Sequence, residues 1–283
     1  MKRIVIAGIA ALAMACGGDS QDSIQYGSPM EPTLDEQYAV DSTQTSLSAS
    51  VAYEQSTEPA YGAPGLADQL AAQLGAYGGT TVAPSDPLRP MASRALTRRS
   101  PGTALTVGMD PECVHQDVPG RIDWVDCLIT ASDYDPETGD SMDMTITVDG
   151  FLAWNMETGV TTWDVLEVLD MSMTSGGETM QVAATANPNG SITVTGSTID
   201  GHAESTIDET IWYGGMTIRV GLVTTLDLDL DYQADPFCIS GGTLQLEQIW
   251  TRRPAGYSEV QLPNRGWIFE WTGCGLFTVS HGS

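Results

Sequence analysis

The alternation of apolar and polar positions is clearest between Gly215 and Tyr232, GMTIRVGLVTTLDLDLDY. Met216, Ile218, Val220, Leu222, Leu226, Leu228, Leu230 and Tyr232 share one parity, interrupted only by Thr224. The other parity holds Thr217, Arg219, Gly221, Val223, Thr225, Asp227, Asp229 and Asp231. Side chains of a strand point alternately to its two faces, so this stretch predicts one long strand with an apolar and a polar side. At about 3.3 Å per residue it would exceed ~50 Å, which calls for a bend, a large curved sheet or a bulge at Gly221.

Shorter runs repeat the pattern: Met142, Met144, Ile146 and Val148; Met180, Val182 and Ala184; Ile192 and Val194. Between them stand the Asn, Asp, Pro and Gly clusters that make tight turns, at Asp135–Gly139, Met156–Gly159, Ser175–Gly177, Asn187–Gly190, Asp200–Gly201 and Gly214–Gly215. These predict about nine antiparallel strands in meander order and no helix. Residues 107–283 therefore read as an all-β domain. Strands with one apolar face need closure or a second layer, so a curved sheet or up-and-down barrel is expected, with a β-sandwich as the second choice.

The first hundred residues differ. Lys2 and Arg3 precede a short apolar run, Ile4–Met14, too short to cross a bilayer, and residues 1–15 read as a secretory signal. Ala13, Met14 and Ala15 lead to Cys16, which Gly17 and Gly18 follow. This resembles the bacterial lipoprotein signal, although Leu12 stands one place further from the cysteine than that family's usual leucine. The resemblance implies a lipid on Cys16, attachment to a bacterial cell-envelope membrane and, with glycine at 17, an outer-membrane destination. Cleavage by ordinary signal peptidase would instead secrete the chain. Residues 16–106 are rich in Ser, Thr, Gln, Ala, Gly and Pro and poor in large apolar residues, the composition of a flexible tether. Leu66, Leu70 and Leu74 mark one short amphipathic helix within it, and Arg89, Arg94, Arg98 and Arg99 form the sole basic cluster.

Charge narrows the partners. The chain carries 37 acids against 11 bases, a net −26. Such a surface repels nucleic acid and anionic lipid and attracts cations or basic partners. Setting Cys16 aside leaves Cys113, Cys127, Cys238 and Cys274, an even set that an exported domain would oxidise. The pairs Cys113–Cys127 and Cys238–Cys274 are favoured because each sits within one end of the domain.

Three groups of residues carry candidate chemistry. Asp227, Asp229 and Asp231 share a strand face about 6–7 Å apart, where a calcium ion or an opposing arginine (Arg219, Arg252 or Arg253) would relieve their repulsion. Asp133, Asp135 and Glu137 follow the first, third and fifth places of a calcium loop without its flanking helices. Met142, Met144, Met171, Met173, Met180 and Met216 give the apolar face an adaptable surface, suited to a lipid or other apolar ligand. Trp267, Phe269 and Trp271 alternate onto one face and are a lesser candidate for stacking on a sugar.

The sequence has no nucleophile elbow, zinc-protease helix or phosphate-binding glycine loop, and its three histidines are scattered. The expectation is a non-enzymatic envelope lipoprotein whose β-domain binds an apolar small molecule or another envelope protein. The alternative is a structural or surface-display lipoprotein with an acidic, cation-binding face; a carboxylate-based hydrolase comes third.

Overall fold

The computed structural model describes residues 24–54 and 106–283, apart from positions 110, 137 and 156. The expected signal peptide at residues 1–15, Cys16, Leu66–Leu74 and the arginine cluster all lie outside the described residues. Eleven strands form a single antiparallel sheet: β1 (Thr106–Met109), β2 (Val114–His115), β3 (Arg121–Tyr134), β4 (Ser141–Asn155), β5 (Val160–Ser175), β6 (Glu178–Thr195), β7 (Thr198–Tyr213), β8 (Met216–Ala234), β9 (Phe237–Arg252), β10 (Arg265–Gly273) and β11 (Leu276–Gly282). From β3 to β11 each strand pairs with the next in sequence, β1 pairs on the outer side of β3, and β2 lies off this path, also against β3. The meander is as expected, and the sheet is open: it closes into no barrel, and among the described residues no second sheet packs against it.

The long strand is present as β8, 19 residues without interruption, with its register slipping between Gly221 and Leu222. A Cβ at Gly221 would stand 2.4 Å from Thr251 Oγ1, so the bulge falls where the sequence has no side chain to displace. The hairpins at Gly176–Gly177 and Gly214–Gly215 hold both central residues at positive φ, as two-residue turns that match strand twist require.

Two predicted turns are instead strand. Asn187–Gly190 runs straight through β6, with Pro188 opposite Ser205 and Gly190 opposite Ala203. Pro188 has no N–H for the ladder, and the Asn187 side-chain amide donates to Val165 O at 2.9 Å where β5 and β6 interrupt their pairing. Gly201 likewise sits within β7, opposite Leu228; the turn lies before it, at Gly196 and Ser197.

The larger correction concerns residues 24–54, which composition assigned to the tether. Gln25 and Gly27 exchange backbone hydrogen bonds with the end of β11, and Met30 bridges Val279, so this segment lines the outer edge of the sheet. Then comes α1, Leu34–Glu54, 21 residues. Its start is a capping box: Thr33 Oγ1 accepts from the Glu36 N–H at 3.3 Å, and Glu36 Oε2 accepts from the Thr33 N–H at 2.8 Å. Glu36, Ala39, Val40, Thr43 and Leu47 are buried along one side of the helix, following its 3.6-residue period. Ala39, Val40 and Leu47 join the main core, with Leu226, Leu228 and Leu230 of β8, Leu244 and Leu246 of β9, Trp267, Phe269 and Trp271 of β10, and Trp163 of β5. The second layer that an open amphipathic sheet needs is thus this helix. Val40, Thr43, Ile239, Leu244, Phe269 and Trp271 line a narrow gap beneath it with no room for a water molecule.

Candidate ligand-binding faces

Register decides which side chains share a face. Met142 of β4 lies opposite Met173 of β5, Met173 opposite Met180 of β6, Met180 opposite Tyr213 of β7, and Tyr213 opposite Met216 of β8. One row across five strands therefore carries four methionines and a tyrosine. The next row inward runs Met144, Met171, Val182, Ile211 and Ile218. Directly opposite side chains in such ladders touch, so the rows form a continuous apolar surface. Met171, Met180 and Val182 form its buried centre, with Met142, Met144, Leu169, Met173 and Ile211 packed around them. All six methionines singled out in the sequence lie in these two rows. Met216, at the hairpin tip, stays 59 % exposed and is the part of the surface that solvent reaches most freely.

This surface is on the same side of the sheet as the main core, at the opposite end of the strands. α1 packs into the main core, and the methionine residues form a second cluster apart from it. The third row runs Ile146, Leu169, Ala184, Glu209 and Val220. Glu209 is the residue that sequence reading missed. It takes the place of an apolar side chain between Ile207 and Ile211, and burial there raises its carboxyl above the ordinary range. The break in period two at Glu209 was a readable signal.

The opposite side of the sheet is polar. Asp227, Asp229 and Asp231 are exposed on it, as the alternation required. Asp229 lies opposite Asp200 and Asp231 opposite Thr198, while Asp227 Oδ1 meets His202 Nδ1 at 2.7 Å. The partner of Asp227 is thus a histidine. Arg219, Arg252 and Arg253, the arginines considered for this role, gather instead around a groove elsewhere on the sheet, where Arg252 is opposite Gly221. Asp133 lies opposite Met142, and Asp135 closes a hairpin turn through its N–H to Asp140 O and its carbonyl to the Gly139 N–H; Glu137 is outside the described residues. Among the described residues no three His, Cys, Asp or Glu side chains are grouped to hold a metal ion.

Trp267, Phe269 and Trp271 do share a face, but it is the covered one. They are 6 %, 0 % and 4 % exposed, so the sugar-stacking expectation fails for them: α1 and β11 leave no room for a ligand. Cys113 lies 5.1 Å from Cys127 and Cys238 lies 5.5 Å from Cys274 between Cα atoms, each pair bonded in the favoured arrangement. The first ties a short helical turn to β3, and the second ties the start of β9 to the β10–β11 turn.

At the far N-terminus of the described chain, His281 Nε2 on β11 meets Glu36 Oε1 of α1. Burial alone would raise the Glu36 carboxyl, but hydrogen bonds from Thr33 and His281, with the charge of His281, hold it below its usual range. This contact clasps the helix to the sheet edge.

No protein-family model, curated protein or solved structure matches this chain.

Proposed function

We propose that the protein is a non-enzymatic, lipid-anchored binding protein of the bacterial cell envelope that holds a long-chain apolar molecule against the methionine end of its sheet. The observation that carries this reading is the gathering of Met142, Met144, Met171, Met173, Met180 and Met216 into two adjacent rows at one end of the sheet, in a cluster separate from the main core. Flexible thioether side chains adapt to apolar ligands of varied shape. An open sheet offers such a ligand a face rather than a barrel interior. Glu209, one row further in, offers a carboxyl whose neutral form burial favours, suited to hydrogen-bond a hydroxyl or carboxyl on an otherwise apolar chain.

The anchor rests on Ala13–Cys16, and the fold gives it a consequence. Cys16 and Ile24 are eight residues apart, and Gln25 already pairs with the last strand. Fully extended, eight residues reach about 28 Å. A lipid on Cys16 would hold the edge of the sheet beside the membrane instead of displaying the domain at the end of a long tether.

The test is a titration of the full chain with N-phenyl-1-naphthylamine, a neutral apolar probe whose fluorescence rises on leaving water. Saturable binding that Met216→Asp weakens strongly, with an unchanged melting temperature because Met216 is exposed, is the expected result. Signal that never saturates, or that Met216→Asp leaves intact, overturns the reading. The exposed acidic face around Asp200, Asp229 and Asp231 would then make structural display the better account.

A further inference from the structure

The domain from Val107 to Ser283 has only five arginines against 27 acids, yet three of the five converge. Arg219, Arg252 and Arg253, with Thr217 and Ala255, line an open groove of about 390 Å³. That is large enough for a small organic ligand. Its guanidinium groups differ in how they are held. Arg253 is fixed: Nε donates to Leu262 O at 2.9 Å and a terminal nitrogen donates to Asn264 Oδ1 at 3.2 Å. Arg252 faces Asp208 across a loose 3.9 Å, with both side chains more than half exposed, a pair that contributes little. Arg219 is exposed and makes no ion pair with a described residue. Two of the three cations therefore have donor capacity left over, in a molecule whose acids are otherwise in large excess.

A ring stands beside them. Trp212 of β7 lies directly opposite Thr217, on the same polar side of the sheet as Arg219, and its side chain is 40 % exposed. Opposite residues in an antiparallel pair approach to about 5 Å between Cβ atoms, so Trp212 neighbours Thr217, one of the residues that line the groove. An exposed indole next to arginines suits a ligand that joins an anionic group to a flat, partly apolar ring face. The rest of the domain selects against long polyanions, since a −22 surface repels every further negative charge placed along it.

We propose that this groove binds a single anionic sugar of the uronic-acid type, its carboxylate taken by Arg219 and Arg252 and its ring laid against Trp212. The site is on the face opposite the methionine rows and stands or falls independently of them.

Calorimetric titration of the full chain with glucuronate, glucose and acetate tests it. Glucuronate should bind saturably at low ionic strength, with glucose and acetate each weaker by about tenfold or more, because each lacks one half of the recognised group. Arg219→Gln and Trp212→Ala should each weaken glucuronate by about tenfold while leaving the melting temperature in place, both being surface substitutions. Three results would overturn the proposal: no saturable binding of glucuronate, binding indifferent to Arg219→Gln, or acetate binding as tightly as glucuronate with no effect of Trp212→Ala. The last would leave an anion site without a sugar.

Discussion

Leu47→Ala decides whether α1 is a working layer of the fold. Leu47 is 1 % exposed and belongs to the core cluster that holds Leu226, Leu244 and Phe269. Replacing leucine with alanine takes three carbons out of that core, about 2.4 kcal/mol at ~0.8 kcal/mol per buried methylene. A cavity between a helix and a rigid sheet closes only in part and adds to the loss, which brings the expected total to about 3 kcal/mol. Tyr38→Ala is the control: Tyr38 is on the same helix but 65 % exposed, and its replacement should change stability by less than about 0.5 kcal/mol. Equilibrium unfolding in urea, followed by tryptophan fluorescence, measures both, since Trp267 and Trp271 lie in the core that α1 covers. If Leu47→Ala and Tyr38→Ala both fall within about 0.5 kcal/mol of the parent, the helix contributes nothing and the tether reading of this segment returns. An expression boundary at residue 107 should behave as an extreme version of the same deletion, because it removes the whole second layer.

Other consequences can be measured with the same equipment. The Glu36 carboxyl is held below its ordinary value, so the stability it adds is fully present above about pH 4.5 and is lost as pH falls through the depressed folded value. Melting temperature should thus drop more steeply below that pH in the parent than in Glu36→Gln, and parallel curves would refute the clasp. Gly150 combines φ +134° with a position where a Cβ would stand 2.2 Å from Asp164 O, so Gly150→Ala should destabilise by about 2 kcal/mol or more, or fail to fold. An alanine variant that melts with the parent would show that β4 and β5 are further apart at this point than described.

The strands, their order and their two faces were written in the sequence, since period two is a local property and each strand pairs with its neighbour in the chain. The 19-residue β8, the bulge at Gly221 and the row of exposed aspartates follow from that local pattern. What misled was also local: Asn187–Gly190 has the composition of a turn, and only the tertiary context shows Gly190 admitting the backbone of β7 and the Asn187 amide replacing the hydrogen bond that Pro188 cannot make.

The sequence by itself determined the all-β meander and which residues line each side of it, because alternation fixes the face of every side chain once a strand exists. It could not say what covers the apolar side. The face of α1 is built from Glu36, Ala39, Val40, Thr43 and Leu47, too small and polar a stripe to stand out from a tether, and the capping box at Thr33 and Glu36 is the one local sign of a helix there. That segment becomes a layer only because the sheet presents a large apolar surface beside it, and burial against a preformed partner stabilises a helix that composition alone would leave unfolded. Tertiary structure likewise decided the two candidate sites. Methionines far apart in the chain become rows through register, and Arg219 meets Arg252 and Arg253 because β8 and β9 run side by side.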